Sequence, residues 1–240
     1  MGSETVMVAL PGTMCSPAVF GPLAEALTGQ VTVDPFSWLT GPGPWDIPAV
    51  AERVARHIDE NYARPVLVCG HSTGGAIALQ LAVNRPAAVL GLVLADTGAH
   101  MQGHGDVDAI LGRIKAGWGE ELRAAVLDRS FHVRPSPEAR AGFLAWAAPL
   151  SQRTVYDVLA SQRDLDLTGK LAGITQPAVV LHGRHDRARH PDQGRELAAA
   201  LPNAEFRLLN TGHTPVYEDP GAVADAVRDV LSRARGGDRH

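Results

Sequence analysis

Residues 70–74, Gly-His-Ser-Thr-Gly, decide the fold, because they match the pattern G-x-S-x-G at a junction between two kinds of segment. An apolar run, residues 65–69, leads into the pattern, and a stretch with helical spacing, residues 73–83, follows it. A serine at such a sharp turn needs glycines on both sides, since side chains there would collide with neighbouring backbone. The helix N-terminus directs backbone N–H groups toward the serine hydroxyl. The pattern predicts a strand–turn–helix unit that presents Ser72 above a sheet.

Short apolar runs of the same character recur along the chain, and each is followed by a turn and an amphipathic stretch. Besides residues 65–69, the runs are residues 5–10, 31–33, 91–95, 178–181 and 205–209. They are mostly rich in Val and Leu with little polar alternation, which is typical of strands buried on both faces beneath helices. We therefore predict an α/β fold with a mostly parallel central sheet flanked by helices.

This alternation stops between residues 97 and 173, where no strand signal appears. Residues 107–165 instead carry apolar side chains at helical spacing. An insert at this place in an α/β sheet lies across the carboxyl ends of the strands, the edge where such sheets bind ligands. The predicted units are a core of residues 1–98 and 172–240 and a helical cap, or lid, of residues 99–171.

The residues after the last two predicted strands extend the pattern. Residues 182–186 read His-Gly-Arg-His-Asp, and residues 210–213 read Asn-Thr-Gly-His. With the serine turn, they make the chain resemble the α/β-hydrolase family, which includes esterases, lactonases and cofactor-free haloperoxidases. In that family a serine, an acid and a histidine follow in this order, each from a loop after a strand. The resemblance covers nearly the whole chain and implies a catalytic triad of Ser72, Asp186 and His213.

Two points of this resemblance stay open. Asp96 directly follows the predicted strand at residues 91–95, and some family members draw their acid from that strand. The usual chain order of the triad favours Asp186 as the partner of His213. The chain begins at the family's third strand, so we expect the leading β-hairpin to be absent.

The resemblance also implies an oxyanion hole made of two backbone N–H groups. One belongs to Thr73, directly after the serine, and the other comes from the loop after the first strand. Thr13 is our choice in that loop, with Met14 as the alternative. Family members usually have His-Gly where this chain has Pro-Gly at residues 11–12. Because the donor is a main-chain group, this departure need not disturb it.

Several apolar residues are candidates for the wall of a substrate pocket. The candidates are Met14, Trp118, Phe143, Trp146 and Val216. Simple packing of the predicted lid on the sheet explains any one of them equally well.

Histidines cluster with an acid at His182, His185, Asp186 and His190, but their spacing matches neither H-E-x-x-H nor another recognised zinc pattern. His71, beside the serine, is expected to pack rather than act as a second base. The phosphate-binding patterns G-x-x-x-x-G-K-[ST] and G-x-G-x-x-G are missing from their expected places. We expect no metal and no organic cofactor.

Composition excludes other classes of protein. The 240 residues carry 22 Lys and Arg against 26 Asp and Glu, so no basic surface for nucleic acid is expected. Cys15 and Cys69 are the only cysteines, which favours a reducing, cytoplasmic environment. A charged leader followed by a long apolar stretch is missing, so neither a signal peptide nor a membrane span is predicted. The expected partner is a small-molecule ester or lactone, and the oligomeric state is left open.

The resemblance implies a serine hydrolase that cleaves a small-to-medium carboxylic ester through an acyl-enzyme intermediate. A lactonase, a carbon–carbon bond hydrolase or a perhydrolase with the same triad is the alternative, because lid and pocket shape determine the substrate. A hydroxynitrile lyase ranks lower, since Thr214 stands where those enzymes have a lysine. A non-catalytic receptor or binding module also uses this fold, but an intact triad argues against it.

Overall fold

The computed structural model describes residues 5–102 and 107–236, and its centre is a six-stranded sheet. The strands are β1 (Thr5–Leu10), β2 (Val31–Pro35), β3 (Val66–His71), β4 (Val89–Ala95), β5 (Ala178–Gly183) and β6 (Ala204–Leu209). Their order in the sheet is β2-β1-β3-β4-β5-β6, and every neighbouring pair is parallel. The predicted α/β fold class is confirmed.

Strand β3 continues two residues beyond the apolar run that predicted it. Gly70 pairs with Leu94 of β4, and His71 pairs with Ala95. The strand thus reaches the residue before Ser72, which becomes the first residue past the carboxyl edge of the sheet.

Helices cover both faces of this sheet. They are α1 (Gly21–Ala26), α2 (Ile47–Asn61), α3 (Thr73–Asn84), α4 (Val107–Ala116), α5 (Glu120–Arg129), α6 (Pro137–Ala147), α7 (Gln152–Asp164), α8 (Pro191–Ala200), α9 (Pro215–Glu218) and α10 (Pro220–Gly236). Helix α2 begins where the Asp46 side chain accepts a hydrogen bond from the backbone N–H of Ala49. None of these helices, within the described residues, has the length and apolar surface that a membrane span requires.

The apolar core has two layers, because successive side chains of a strand point to opposite faces of the sheet. In β1, Val8 and Leu10 belong to the layer under α2 and α3, whereas Met7 and Ala9 belong to the layer under α1 and α10. All four residues are fully buried. This double burial explains why the strands read as continuous apolar runs.

Helices α4 to α7 form an insert between β4 and β5, which we call the helical insert (residues 107–164). Helix α4 packs on α7, and α5 packs on α6. On either side of the insert, His100 and Asp166 form an antiparallel bridge, and the Leu167 N–H donates to the Ala99 carbonyl at 3.0 Å. The chain therefore leaves and re-enters the core at adjacent points.

Candidate active site

Ser72 occupies the turn between β3 and α3 in a backbone conformation that L-residues rarely adopt, with φ 53° and ψ −119°. The turn is tight, because a Cβ added to Gly74 would lie 2.0 Å from the carbonyl oxygen of Leu10. Only glycine fits there. Strained residues of this kind concentrate at functional sites. Here the strained turn places Ser72 just beyond the end of the sheet.

The loops after β5 and β6 bring two further residues to Ser72. His213 Nε2 lies 2.9 Å from Ser72 Oγ, and His213 Nδ1 lies 2.7 Å from Asp186 Oδ2. The side chain of His213 is 9% exposed and that of Asp186 is fully buried. The structure thus places the three residues of the predicted triad in one hydrogen-bonded chain. Serine, base and orienting acid stand in the order that nucleophilic catalysis needs.

Asp186 is held as a carboxylate by its surroundings. Its Oδ1 accepts hydrogen bonds from the backbone N–H groups of Ala188, at 2.6 Å, and Arg189, at 3.0 Å. Burial raises the pKa of Asp186, but the charge of His213 and hydrogen bonds from neighbouring side chains outweigh it and hold this pKa well below its usual range. An ionised Asp186 can orient the imidazole ring and stabilise it when it is protonated.

Asp96, the alternative acid, lies behind Asp186 and is completely buried. Its Oδ1 accepts a hydrogen bond from the Gly183 N–H at 3.0 Å. Burial raises the pKa of Asp96 well above its usual value, and the neighbouring Asp186 carboxylate raises it further. Both effects favour the protonated form of Asp96 beside an ionised Asp186. The acid that contacts His213 Nδ1 is Asp186.

His71 connects two loops and does not face Ser72 as a second base. Its Nδ1 accepts a hydrogen bond from the Gly12 N–H at 3.3 Å, and its Nε2 lies 2.6 Å from the carbonyl oxygen of His213. These partners place the ring proton on Nε2. Burial lowers the pKa of His71 to about 3, and the charge of His213 also lowers it. A neutral His71 therefore fixes the loop after β1 against the loop that carries His213.

The predicted oxyanion-hole residues lie beside Ser72. The Thr13 hydroxyl donates to Thr73 Oγ1 at 2.8 Å, and Thr73 Oγ1 donates to Gln162 Oε1 at 2.7 Å. A Cβ added to Gly12 would lie 3.0 Å from Ser72 Cβ, so the backbone of this loop runs directly against the serine. The alternative donor, Met14, has a positive φ of 64°. Gln162 belongs to α7 of the helical insert, and the sequence does not distinguish it from other polar helix residues.

A cavity of about 290 Å³ opens at Ser72 between the sheet edge and the helical insert. Of the five apolar pocket candidates, Met14 and Phe143 line it. Trp118, Trp146 and Val216 lie outside the wall, because Val216 is fully buried in one core layer and the two tryptophans pack against the other. Apolar spacing cannot distinguish a cavity wall from a packing surface. Much of the wall comes from other apolar residues of the insert, namely Ile110, Leu122, Val126, Leu144 and Leu159.

The carboxylate of Glu218 connects the loop after β6, which carries His213, to the helical insert. Glu218 Oε1 accepts a hydrogen bond from the Gly212 N–H at 3.0 Å. Its Oε2 accepts hydrogen bonds from the N–H groups of His132 and Val133, both at 2.9 Å. Glu218 therefore holds the residue before His213 and the segment between α5 and α6 in fixed register.

A possible set of metal ligands lies behind the triad, where Asp96, His182 and Asp186 bring one ligand atom each within 4.8 Å of one another. His182 Nε2 lies 3.3 Å from Asp186 Oδ2, 3.5 Å from Asp96 Oδ1 and 3.1 Å from the carbonyl oxygen of Arg189. The Nε2 proton meets these oxygens, so a cation would have to replace that proton and compete with His213 for Asp186. Asp96 and His182 are therefore better suited to support the Asp186 carboxylate than to bind a metal ion.

The remaining histidines named in the sequence lie apart from Ser72. His190 is exposed and caps α8, and its Nδ1 accepts a hydrogen bond from the Asp192 N–H at 3.3 Å. The ring of His185 stacks on that of His132, with 3.8 Å between the ring centroids.

Comparison with known proteins identifies the family. A sequence model described as the Alpha/beta hydrolase family matches residues 7–226, which include nearly all of the sheet, the serine turn, the helical insert and the loop that carries His213. The chain belongs to this family. The resemblance drawn from the sequence is thereby confirmed.

Relatives of this α/β-hydrolase include proteins named for ester cleavage. It is 43% identical over 211 residues to lipase LipV of Mycobacterium tuberculosis, and the match covers 78% of this chain and 77% of that protein. It is 25% identical over 196 residues to the pimeloyl-(acyl-carrier protein) methyl ester esterase of Nitrosospira multiformis, with 75% and 73% covered. The solved enol-lactonase from Burkholderia xenovorans has a TM-score of 0.84 at 23% identity, with 96% and 92% covered, and shares the fold.

Proposed function

We propose that this α/β-hydrolase is a serine esterase that cleaves carboxylic esters through an acyl-enzyme intermediate. The observation that carries the proposal is the hydrogen-bonded chain from Ser72 Oγ through His213 to Asp186, which opens on a cavity of about 290 Å³. A hydroxyl becomes a useful nucleophile when a base removes its proton during attack. His213 Nε2 is at the distance required for that transfer.

The reaction follows from this geometry in two halves. Ser72 Oγ attacks the ester carbonyl carbon while its proton moves to His213 Nε2, and the carbonyl oxygen becomes an oxyanion. Collapse of this intermediate breaks the bond to the alcohol, which leaves with the proton from His213. A water then attacks the acyl-enzyme and gives its proton to His213. The acid is released, and the proton returns to Ser72.

The backbone N–H groups of Thr73 and of Thr13 or Met14 are the proposed donors to the oxyanion. They lie at the N-terminus of α3 and in the loop after β1, next to the serine. The four insert helices supply most of the apolar wall, so we assign residues 99–171 the role of a lid that selects the substrate. Cys15 and Cys69 are both free thiols, in keeping with a reducing cytoplasm as the site of action.

The names of the relatives support the ester class. A lactonase, carbon–carbon hydrolase or perhydrolase would use the same three residues, and substrate tests separate these reactions. A lyase is not supported, because Thr214 has no ammonium group and its hydroxyl donates to the Ser130 carbonyl oxygen at 3.1 Å.

The decisive experiment treats the protein with a fluorophosphonate probe, which labels activated serines covalently. We expect labelling of the wild type and none of Ser72→Ala, together with hydrolysis of para-nitrophenyl esters over a series of acyl lengths by the wild type alone. Equal labelling of the two proteins would remove Ser72 as the nucleophile. Labelling of the wild type without hydrolysis of any ester in the series would favour the lactone or carbon–carbon alternatives.

A further inference from the structure

The cavity at Ser72 carries an excess of positive charge. Among the described residues that line it there are four arginines, Arg113, Arg123, Arg129 and Arg189, and no aspartate or glutamate. The whole chain has a net charge of −4, so the excess belongs to the cavity. A cleft lined by charge of one sign concentrates ligands of the opposite sign.

Arg189 differs from the other three because it is buried, with 4% of its surface exposed. Its Nη1 donates hydrogen bonds to the His100 carbonyl oxygen at 3.2 Å and to Gln193 Oε1 at 2.6 Å, and its Nη2 lies 3.0 Å from Met101 Sδ. All three partners are uncharged. Within the described residues no carboxylate lies at ion-pair distance from this guanidinium, although buried charges in proteins are normally paired.

The guanidinium remains charged in this position. Burial lowers the pKa of Arg189 to about 10, and the charges of Asp186 and Asp96 act in the opposite direction. A guanidinium has five N–H donors in a planar fork that matches a carboxylate. The three bonds within the described chain leave two of the five N–H groups for a ligand. Arg189 lines the cavity at Ser72 and also a smaller neighbouring cavity with His100 and Gln193.

The fold makes specific room for this side chain. A Cβ added to Gly98 would lie 2.4 Å from Arg189 Nη1, so the guanidinium packs directly against the glycine. The backbone N–H of Arg189 supports Asp186 Oδ1, which ties the arginine to the triad. Because that N–H is present whatever the side chain, replacing the side chain does not remove the bond to Asp186.

We propose that the preferred substrate is an ester that also carries a carboxylate, and that Arg189 binds this carboxylate in the cavity. The inference rests on the proposed esterase function and names its substrate class. Arg113 and Arg129 are exposed at the insert, where they attract the anion from solution with a strength that salt reduces. Arg123 also lines the cavity, and one of its donors is used within the insert by the Trp118 carbonyl oxygen at 2.8 Å.

The test compares carboxylate esters with matched carboxamide esters, which have nearly the same shape and no charge. One pair places the group on the acyl side, as mono-para-nitrophenyl glutarate and its glutaramate analogue. The other pair places it on the alcohol side, as para-carboxyphenyl butyrate and para-carbamoylphenyl butyrate. We expect the wild type to favour the carboxylate member of at least one pair by about tenfold in kcat/KM.

Variants then assign the preference to Arg189. Arg189→Met should raise KM for the favoured carboxylate ester and reduce the carboxylate-to-carboxamide ratio by about tenfold. Arg189→Lys should keep part of the ratio, since it retains the charge but loses the fork. Arg187→Met is the matched control, because this neighbour is exposed and lies outside the cavity wall, and its ratio should equal that of the wild type.

The outcomes separate the two proposals. If the wild type hydrolyses both members of each pair without preferring a carboxylate, the esterase function stands and the substrate class is wrong. If it hydrolyses no member and is not labelled by fluorophosphonate, the esterase function itself fails. A purely structural Arg189 would lower kcat/KM for both members of a pair equally and leave the ratio unchanged. The wild-type ratio decides the substrate class even if Arg189→Met does not fold.

Discussion

The core and the helical insert differ in how densely their helices are packed. In the core, helix α3 has ten buried residues out of 12, and the strands beneath it are covered on both faces. In the insert, helix α5 has no buried residue. Other parts of the insert do pack on the core, since Val155 and Val158 of α7 are fully buried in one core layer. Polar contacts, such as the one from Thr73 to Gln162, add to this packing. The predicted triad therefore rests on dense packing, whereas α5, which supplies part of the cavity wall, is lightly packed.

Because of this difference, substitutions near the serine turn and substitutions in the insert should have different effects. Dense packing tolerates few substitutions, because most changes of volume there create clashes or cavities. A lightly packed helix tolerates more, and its local opening requires less free energy. Residues of the insert can thus change substrate preference without disturbing the serine turn.

The largest expected effect is a loss of stability from a substitution in the core. Gly74→Ala places a Cβ 2.0 Å from the Leu10 carbonyl oxygen, which is backbone and has no flexible end that could move away. We expect the free energy of unfolding to fall by about 4 kcal/mol or more, enough to prevent accumulation of folded protein. Urea unfolding, or the soluble yield if no folded protein is obtained, measures the effect.

The same substitution in the insert is the matched control. Gly142 lies within α6, and a Cβ added there would meet nothing within 4 Å. Gly142→Ala should stabilise the protein by up to about 1 kcal/mol, since alanine favours a helix. A loss of stability in both variants of similar size would contradict the contrast between dense core and light insert.

The next effect concerns His71, the buried neutral residue of the core. Its folded-state pKa of about 3 lies below the ordinary value of 6.5, so the unfolded chain binds the extra proton first. Stability from His71 is therefore complete above about pH 6.5 and is lost as the pH falls toward 3. His71→Gln keeps an acceptor and a donor but cannot titrate. Between about pH 7 and pH 4, the wild type should lose about 3 kcal/mol more unfolding free energy than this variant.

Denaturant unfolding of both proteins at both pH values checks this prediction. The difference in unfolding free energy between the wild type and His71→Gln at neutral pH is the baseline. Using the difference between two proteins removes the opposing contribution of Asp96, which is present in both and binds its proton more tightly in the folded state. Parallel pH dependence of wild type and variant would show that His71 is solvated or protonated in the folded protein.

The same contrast explains what the sequence could predict. The four central strands and the serine turn follow from local rules, since a doubly buried strand must be apolar and a strained turn must have glycine. The edge strands β2 and β6 are only partly buried, and shorter or mixed apolar runs predict them. Asp186 and His213 follow from chain order within a recognised family. Their positions depend on where strands end, and strand ends are visible in the sequence.

The cavity was not predictable in this way. Trp118, Trp146 and Val216 have the same apolar character as Phe143, yet only Phe143 among them faces the cavity. Which side of a helix meets the cavity depends on how the insert docks, and the docking contacts join residues far apart in the sequence. Gln162 and Thr73 are separated by 89 positions. The sequence does not single out Arg189 for the same reason, because its guanidinium packs against Gly98, 91 positions earlier in the chain.

The smallest expected effect is on the contact that couples the two regions. Gln162→Met removes the acceptor of the Thr73 hydroxyl and loosens the Thr13–Thr73 pair beside the serine. We expect kcat to fall by about tenfold, equivalent to about 1.4 kcal/mol, because the proposed oxyanion donors belong to these residues. Steady-state kinetics on para-nitrophenyl butyrate measures the change.

Gln152→Met provides the control within the same helix. Gln152 donates to the carbonyl oxygens of Ile114 and Lys115, at 2.6 and 2.9 Å, so its hydrogen bonds stay inside the insert. Gln162 is buried and Gln152 is exposed, so Gln162→Met should lower the unfolding free energy by about 1 kcal/mol and Gln152→Met by less. Only Gln162→Met should lower kcat. If the two variants reduce kcat equally, the insert acts on the serine site through its overall stability and the specific link from α7 to Thr73 has no separate role.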